Sequence, residues 1–180
     1  DLLDLTRTRL GGAIPLKPAR TDLQSVCEDV VLEVQASHPD AVVNFHSHGD
    51  VTGEWDPDRL AQAVSNLVVN ANEQGGNTPV TLVAAAGDQR VRLTVHNGGG
   101  PIPAHVQTTI FEPLARGTSQ GEQNLGLGLF IARAIVLAHG GQIKVSSTAE
   151  SGTTFEITLA RGRTVQSAAA SETGRADGTS

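Results

Sequence analysis

Residues 56–76 of the chain read DPDRLAQAVSNLVVNANEQGG. Asp56 followed by Pro57 is typical of a capped helix start, and the glycines at 75 and 76 predict the helix end. Apolar residues fall on one arc of this helix, and polar residues fall on another at i, i+4, i+7 and i+8. The apolar arc is Leu60, Val64, Leu67, Val68 and Ala71, and the polar arc is Asn66, Asn70, Glu73 and Gln74. Because asparagine is a poor helix former, its repetition leaves two interpretations open, a solvated face and a face that contacts a ligand.

Two glycine-rich segments follow this helix. The first, HNGGGPIP at residues 96–103, comes directly after a hydrophobic strand, and its glycines allow the backbone to leave the sheet sharply and to approach a ligand closely. The second, NLGLGL at residues 124–129, is a loop-to-helix junction, where unpaired N–H groups and the positive dipole attract phosphate. Taken alone, each segment is also typical of an ordinary turn or of close packing, so neither by itself identifies a ligand site.

The remaining elements predict an α+β fold. Residues 14–20 contain two prolines and are typical of an edge strand, and Thr21 with Gln24 has capping-box spacing before a helix from Asp22 to Ala36. Hairpins are predicted at 42–55, 79–96 and 142–159, a short helix at 104–110 and a last helix at 126–139. This order indicates a mixed or antiparallel sheet with helices on one face, not the strand-helix alternation of a doubly wound sheet.

Composition and charge narrow the class of protein. The 180 residues carry 13 Lys and Arg against 19 Asp and Glu, a net charge of −6, with four Phe, one Trp and no Tyr, which argues against nucleic-acid binding. The single cysteine, Cys27, rules out a disulfide framework within the chain and favours a reducing, cytoplasmic location. No apolar run approaches the roughly 18 residues of a membrane span, so we expect no membrane contact by this segment.

The order of the motifs is more specific than any one of them. The chain contains, in order, an Asn-rich helix, a glycine-rich loop after a strand, a segment with Phe111-Glu112-Pro113, a helix that begins with glycines, and Gly152-Thr153-Thr154-Phe155. Over residues 14–159 this order resembles the ATP-binding catalytic domain of bacterial sensor histidine kinases, in the superfamily that includes gyrase-type ATPases. The glycine-rich loop and the following helix are most similar to the bacteriophytochrome-like class.

The resemblance implies a fold and a division of the chain. The fold is a two-layer sandwich of the Bergerat type, in which three helices cover one face of a mixed, mostly antiparallel sheet. Residues 13–161 are expected to form the ATP-binding domain, and residues 1–12 the end of a dimerisation and phosphoacceptor helix. Residues 162–180 have nothing to bury and are predicted to be a disordered tail.

The resemblance also assigns site residues. Asn70 corresponds to the ligand through which Mg²⁺ meets the triphosphate of ATP, and Asn66 would lie near the γ-phosphate; both are expected to be catalytic. Phe111 to Leu125 would form a lid over the nucleotide. The expected nucleotide-binding residues are Asn97 at the adenine, Gly99 and Ile102 in the loop beside it, Arg116 as a phosphate clamp, Gly126, Leu127, Gly128 and Leu129 around the phosphates, and Thr153 in support of the base.

The chain departs from the family pattern at several of these positions. Asn97 stands where the family usually has Asp, and because hydrogen bonds to charged groups are stronger than neutral ones, the change is expected to weaken nucleotide affinity roughly tenfold. Pro101 stands where the family has a loop glycine, and Asn124 stands where it has the first glycine of the motif at residues 124–129. Glu73 and Gln74 stand where many kinases have Lys followed by His or Tyr.

Three functions remain open. The first is transfer of the γ-phosphoryl of Mg·ATP to a histidine on an adjoining helical hairpin, in a homodimeric parent protein that passes the phosphoryl to a response regulator. The second is an ATP-hydrolysing conformational switch, which is disfavoured because relatives of that kind have Glu, a general base, where this chain has Asn66. The third is a weakly nucleotide-binding domain, either of a phosphatase-biased sensor or one that only docks partners.

Four other side chains have plainer interpretations. His46 and His48 share a strand face but lack a third metal ligand at suitable spacing, so we expect them to be exposed. His139 is expected to be a charged cap at a helix C-terminus. Cys27 is expected to be a buried structural thiol.

Overall fold

A computed structural model of the chain describes residues 14–76, 78–113 and 127–162. Seven strands and four helices are found in these residues. In chain order they are β1 (Ala19–Asp22), α1 (Leu23–Ser37), β2 (Val43–His48), β3 (Thr52–Trp55), α2 (Pro57–Gly75), β4 (Val80–Ala86), β5 (Arg90–Asn97), α3 (Ala104–Gln107), α4 (Gly128–Ala138), β6 (Gln142–Thr148) and β7 (Gly152–Ala160).

Five strands form the main sheet, in the order β2-β4-β5-β7-β6. The β2–β4 pair is parallel and the other three pairs are antiparallel. The α+β fold with a mixed, mostly antiparallel sheet is therefore confirmed, as are the hairpins β4–β5 and β6–β7.

The hairpin predicted at residues 42–55 is wrong. β2 pairs with β4, whereas β3 pairs with β1 in a separate two-stranded sheet. Trp55 at the end of β3 is buried, and its Nε1–H donates a hydrogen bond to the Ala160 carbonyl oxygen at 2.9 Å. A turn between two alternating segments is the local pattern of a hairpin, but these two strands find partners far away in the chain.

The edge strand predicted at residues 14–20 is displaced toward the C-terminus, because β1 begins only at Ala19. Pro15 and Pro18 lie before it, and a proline nitrogen cannot donate a hydrogen bond to a β-ladder. The start of α1 differs as well. Asp22, not Thr21, caps the helix by accepting the Gln24 N–H at 2.9 Å. The Thr21 hydroxyl instead lies within hydrogen-bond distance of the Ala19 and Trp55 carbonyl oxygens.

Helices cover one face of the main sheet. Alternate side chains of the central strands are buried on that face, and α2 packs on β4 and β5 with α1 on one side and α4 on the other. The predicted apolar arc of α2 is confirmed, since its members are all buried. On the opposite face Arg92 is exposed, Glu156 is half-buried, and the two form a 3.7 Å ion pair. Within the polar arc of α2, Asn66 lies beside the start of α4.

Local signals fix the ends of α2. The Asp56 carboxylate accepts the Arg59 N–H at 3.1 Å and Pro57 occupies the first turn, as predicted.

The last long helix is shorter than predicted, beginning at Gly128 and ending at Ala138. Within the described ranges, no helix is long and apolar enough to span a membrane. Residues 1–12 and 163–180, which hold the predicted dimerisation helix and nearly all of the predicted tail, lie outside those ranges.

Candidate nucleotide-binding site

The polar arc of α2 is not a solvated face throughout. Asn70 is only 8% exposed and Asn66 is half-buried, whereas Glu73 and Gln74 in the last turn are exposed. Residues four apart lie on the same side of a helix, so the two asparagine amides form one partly enclosed polar surface. The solvated interpretation is therefore wrong for Asn70, and Asn66 is only partly exposed.

The start of α4 lies against this surface. A Cβ added to Gly128 would be in ordinary van der Waals contact with Asn66, 3.6 Å from both its Cγ and its Oδ1, so the helix start lies beside that amide. The first hydrogen bond of the helix runs from the Ile131 N–H to the Leu127 carbonyl oxygen at 2.8 Å. The N–H groups of the first turn have no partner within the helix, and no described side chain caps it. Together with the helix dipole, these groups suit an anion beside Asn66.

The two leucines that flank Gly128 have different surroundings. Leu127 is half-buried at the N-cap position, whereas the side chain of Leu129 is 5% exposed and lies in the hydrophobic core. Leu129 can therefore meet a phosphate only through its backbone N–H. Gly126 and Arg116, and the predicted lid beyond residue 113, lie outside the described residues.

Asn97 ends β5 in an unusual environment. The residue is 1% exposed, and neither Oδ1 nor Nδ2 has a hydrogen-bond partner among the residues that the structure describes. A buried polar group without a partner costs about 1–3 kcal/mol, and such groups in native proteins call for a specific explanation. One such explanation is a ligand that supplies a hydrogen-bond donor and an acceptor to this amide.

A short hydrogen-bonded network lies beside Asn97. Thr153 pairs with Asn97 across β5 and β7, is 3% exposed, and has its hydroxyl 2.7 Å from that of Ser147. The Ser147 hydroxyl also accepts the N–H of Ile102 at 2.9 Å. Ile102 is half-buried and packs against the core. Thr153 and Ile102 are therefore brought to the same side of the Asn97 amide.

Gly99 is close to the protein's own backbone. A Cβ at this position would overlap the carbonyl oxygen of Gln74 and would lie 2.9 Å from the Gly75 Cα and from the Asn97 Nδ2. The missing side chain lets the segment after β5 lie directly on the last turn of α2. That contact brings the helix end and Asn97 together.

Sequence reasoning missed Ser147 and Gln107. The Gln107 Nε2 donates to the carbonyl oxygens of Ile102 at 2.7 Å and Ser147 at 3.1 Å, and so ties the segment after β5 to β6. A signal existed for Ser147, because it continues the partly buried alternation of Ile143 and Val145 with a polar residue. A polar residue in an inward-facing position of a strand indicates a hydrogen-bonded partner.

His139 joins the start of α2 to the end of α4. Its Nδ1 lies 2.8 Å from the Ile135 carbonyl oxygen, and its Nε2 accepts the Asp56 N–H at 3.1 Å. An imidazole that donates at one nitrogen and accepts at the other is neutral, and burial lowers the pKa of His139 below its ordinary value of 6.5. The predicted position at the helix C-terminus is confirmed, but the predicted charge is wrong.

The remaining candidates match their plainer interpretations. His46 and His48 are exposed. Across the described residues there is no group of three His, Cys, Asp or Glu side chains suited to hold a metal. Cys27 is buried, and burial, with Asp22 and Glu28 nearby, raises its thiol pKa to about 12. The structural interpretation of Cys27 is confirmed.

An amide-lined helix face, an uncapped helix start beside it and a buried amide with no partner among the described residues suit the binding of a nucleotide by a two-layer α+β domain. Residues 55–163 match the family model described as Histidine kinase-, DNA gyrase B-, and HSP90-like ATPase, and the chain belongs to this family. Within that family its similarity to histidine kinases makes it an ATP-binding catalytic domain of the histidine-kinase type.

Individual relatives agree with this assignment. The chain is 32% identical to the bacteriophytochrome of Pseudomonas aeruginosa, over 80% of the chain and 20% of that protein. It is 38% identical to the probable sensor histidine kinase TcrY of Mycobacterium tuberculosis, over 82% of the chain and 32% of that protein. Full-length ShkA, solved in complex with AMPPNP, superimposes with a TM-score of 0.75 at 27% identity, over 87% of this chain and 34% of that one. The chain thus spans only a fifth to a third of the length of these relatives.

Proposed function

We propose that this chain is the part of a sensor histidine kinase that binds Mg·ATP and presents the γ-phosphoryl to a histidine on an adjoining dimerisation domain. The observation that carries the proposal is the contact of Asn66 with the start of α4, one turn from the buried Asn70. An amide surface beside an uncapped helix start suits a triphosphate, because phosphoryl transfer requires mainly positioning and charge neutralisation.

Each group of the proposed site has a distinct task. The first-turn N–H groups of α4 bind phosphate oxygens, and the Asn66 amide orients the terminal phosphate. Asn70 offers an amide oxygen, a ligand that Mg²⁺ accepts alongside phosphate oxygens and water. Because the described residues contain no cluster of three His, Cys, Asp or Glu, the fit is to a cation shared with the nucleotide rather than one caged by the protein. When bound, the cation neutralises charge on the phosphates.

The side chain at position 66 favours transfer over hydrolysis. A neutral amide cannot accept the proton of an attacking water, so Asn66 is no general base. In the transfer reaction the imidazole nitrogen of the acceptor histidine supplies the electron pair. The nitrogen–phosphorus bond forms, the bond from phosphorus to the bridging oxygen breaks, and ADP leaves.

The wider assignment follows from the same proposal. Residues 13–161 form the ATP-binding domain, residues 1–12 lead into it from the dimerisation helix, and residues 162–180 form a tail. The whole protein is a cytoplasmic homodimer that passes its phosphoryl group to a response regulator. A domain that only docks partners would have no use for the orphaned amide of Asn97, which favours the nucleotide-binding alternative.

Calorimetric titration of the 180-residue chain with AMPPNP, with and without Mg²⁺, tests the proposal. We expect micromolar to submillimolar binding that tightens at least tenfold with Mg²⁺, and we expect Asn70→Ala to remove the Mg²⁺ dependence. Asn72→Ala is the matched control, because Asn72 lies two residues along α2 and lines a groove beside Ser37 and His38. Absence of binding at several millimolar nucleotide, or equal effects of the two variants, would contradict the proposal.

A further inference from the structure

The Asn97 amide is buried and no described residue fixes which way it faces. Its neighbour across the strands, Thr153, has its hydroxyl engaged with Ser147 rather than with the amide. The carbonyl oxygen and the NH₂ group of an asparagine side chain exchange places when the amide rotates by half a turn. Either orientation is therefore open to this residue without the loss of a described hydrogen bond.

The two orientations match two kinds of purine. An amide presents a donor and an acceptor side by side, whereas a carboxylate presents acceptors only. Adenine carries an amino donor at C6 beside the N1 acceptor, and guanine or hypoxanthine carries a carbonyl acceptor at C6 beside an N1–H donor. One orientation of an amide pairs with the first edge, and the reversed orientation pairs with the second.

We propose that Asn97 reads the C6 edge of a purine in either orientation, so that the site accepts 6-oxopurine nucleoside triphosphates as well as ATP. This inference rests on the proposed function, because it places the base of the nucleotide at Asn97. The substrate class of the domain is then purine triphosphates rather than ATP alone.

Aspartate at the same position would restrict this choice. A carboxylate can accept the N1–H of a 6-oxopurine, but it places acceptor against acceptor at the C6 carbonyl and leaves that buried carbonyl without a donor. Sites that lose a required hydrogen bond in this way reject the wrong ligand by large factors, up to about 10⁴–10⁵. The asparagine thus relaxes discrimination at the same position where it weakens the contact with adenine.

Inosine is the sharpest probe, because hypoxanthine differs from adenine at the C6 and N1 positions and lacks the 2-amino group of guanine. The 180-residue chain is titrated with the imidotriphosphate analogues of adenosine and of inosine, both with Mg²⁺. We expect the two dissociation constants of the unaltered chain to agree within about tenfold. In Asn97→Asp we expect the adenosine analogue to bind up to about tenfold more tightly and the inosine analogue at least a hundredfold more weakly than adenosine.

Asn44→Asp is the matched control, since Asn44 is exposed on β2 and the same charge is added there. Its ratio of inosine to adenosine affinity should equal that of the unaltered chain. A preference for adenosine above a hundredfold in the unaltered chain, with Mg²⁺-dependent binding intact, overturns the inference alone. Absence of adenosine binding overturns the proposed function as well. If Asn97→Asp does not fold, the ratio in the unaltered chain decides the question.

Discussion

Two adjacent glycines of the loop after β5 should respond in opposite ways to the same substitution. A Cβ at Gly99 would overlap the Gln74 carbonyl oxygen and approach the Gly75 Cα to 2.9 Å, whereas a Cβ at Gly100 would have nothing within 4 Å. Neither glycine has a positive φ, so the backbone at both positions suits alanine. Gly99→Ala should therefore destabilise the protein, and Gly100→Ala should not.

The magnitude follows from two opposing effects. Removing a glycine restricts the unfolded chain and stabilises a protein by about 0.4–1 kcal/mol at a compatible site, and this applies to both variants. An extra methyl group forced into a packed site costs about 1–3 kcal/mol. At Gly99 the contacted atoms belong to the backbone of α2, which cannot rotate away as a flexible side chain would. The difference between the variants is therefore about 1–3 kcal/mol in the free energy of unfolding.

Urea and thermal unfolding of both variants measure this difference. For a chain of this length, 1 kcal/mol corresponds to a Tm shift of about 2–4 °C, so Gly99→Ala should melt roughly 2–12 °C below Gly100→Ala. Gly99→Ala should also weaken binding of AMPPNP, because the methyl group would lie 2.9 Å from the Asn97 Nδ2. Equal unfolding midpoints for the two variants would refute the close contact of the loop with α2.

Three further outcomes are expected. Burial holds the pKa of His139 below 6.5, so its neutral form stabilises the fold fully above that pH. This stabilisation is lost as the pH falls below 6.5 and the imidazole is protonated. The urea midpoints at pH 8 and pH 5.5 should therefore differ more in the unaltered chain than in His139→Gln. The Cys27 thiol, with its pKa raised to about 12, should react with iodoacetamide at neutral pH only when urea unfolds the chain, and rapid reaction of the folded protein would contradict its burial. Ser147→Ala leaves the Ile102 N–H without its acceptor and should cost about 1–3 kcal/mol, against little change for the exposed Ser151→Ala; equal unfolding free energies would count against the network beside Asn97.

The parts of the fold that were predicted correctly depend on local signals. The start and end of α2 are marked by Asp56-Pro57 and by Gly75-Gly76, and a helix cap acts within one turn. The hairpin β4–β5 is equally local, because the two strands alternate and a short turn joins them. Asn66 and Asn70 are recognisable as candidate site residues because asparagine is unfavourable within a helix, so its repetition there indicates a further role.

The parts that were wrong or missed depend on distant partners. Nothing near residues 42–55 distinguishes a hairpin from two strands that join different sheets, since the partners β4 and β1 lie elsewhere in the chain. The charge of His139 is removed by burial while its Nε2 accepts the Asp56 N–H, and these two residues are 83 positions apart. The hydrogen bond from Gln107 to Ser147 in β6 likewise spans 40 positions. Such contacts exist only after the chain has folded.

The side-chain amide signals of asparagine in a ¹H–¹⁵N NMR spectrum test most directly whether Asn66, Asn70 and Asn97 bind one nucleotide. On addition of Mg·AMPPNP to the 180-residue chain, the signals of Asn66, Asn70 and Asn97 should shift together along one binding isotherm. Those of Asn44, exposed on β2, and of Asn72, in the groove beside α1, should stay in place. Binding that leaves Asn66 and Asn70 unmoved, or that shifts Asn72 instead, would contradict a shared site.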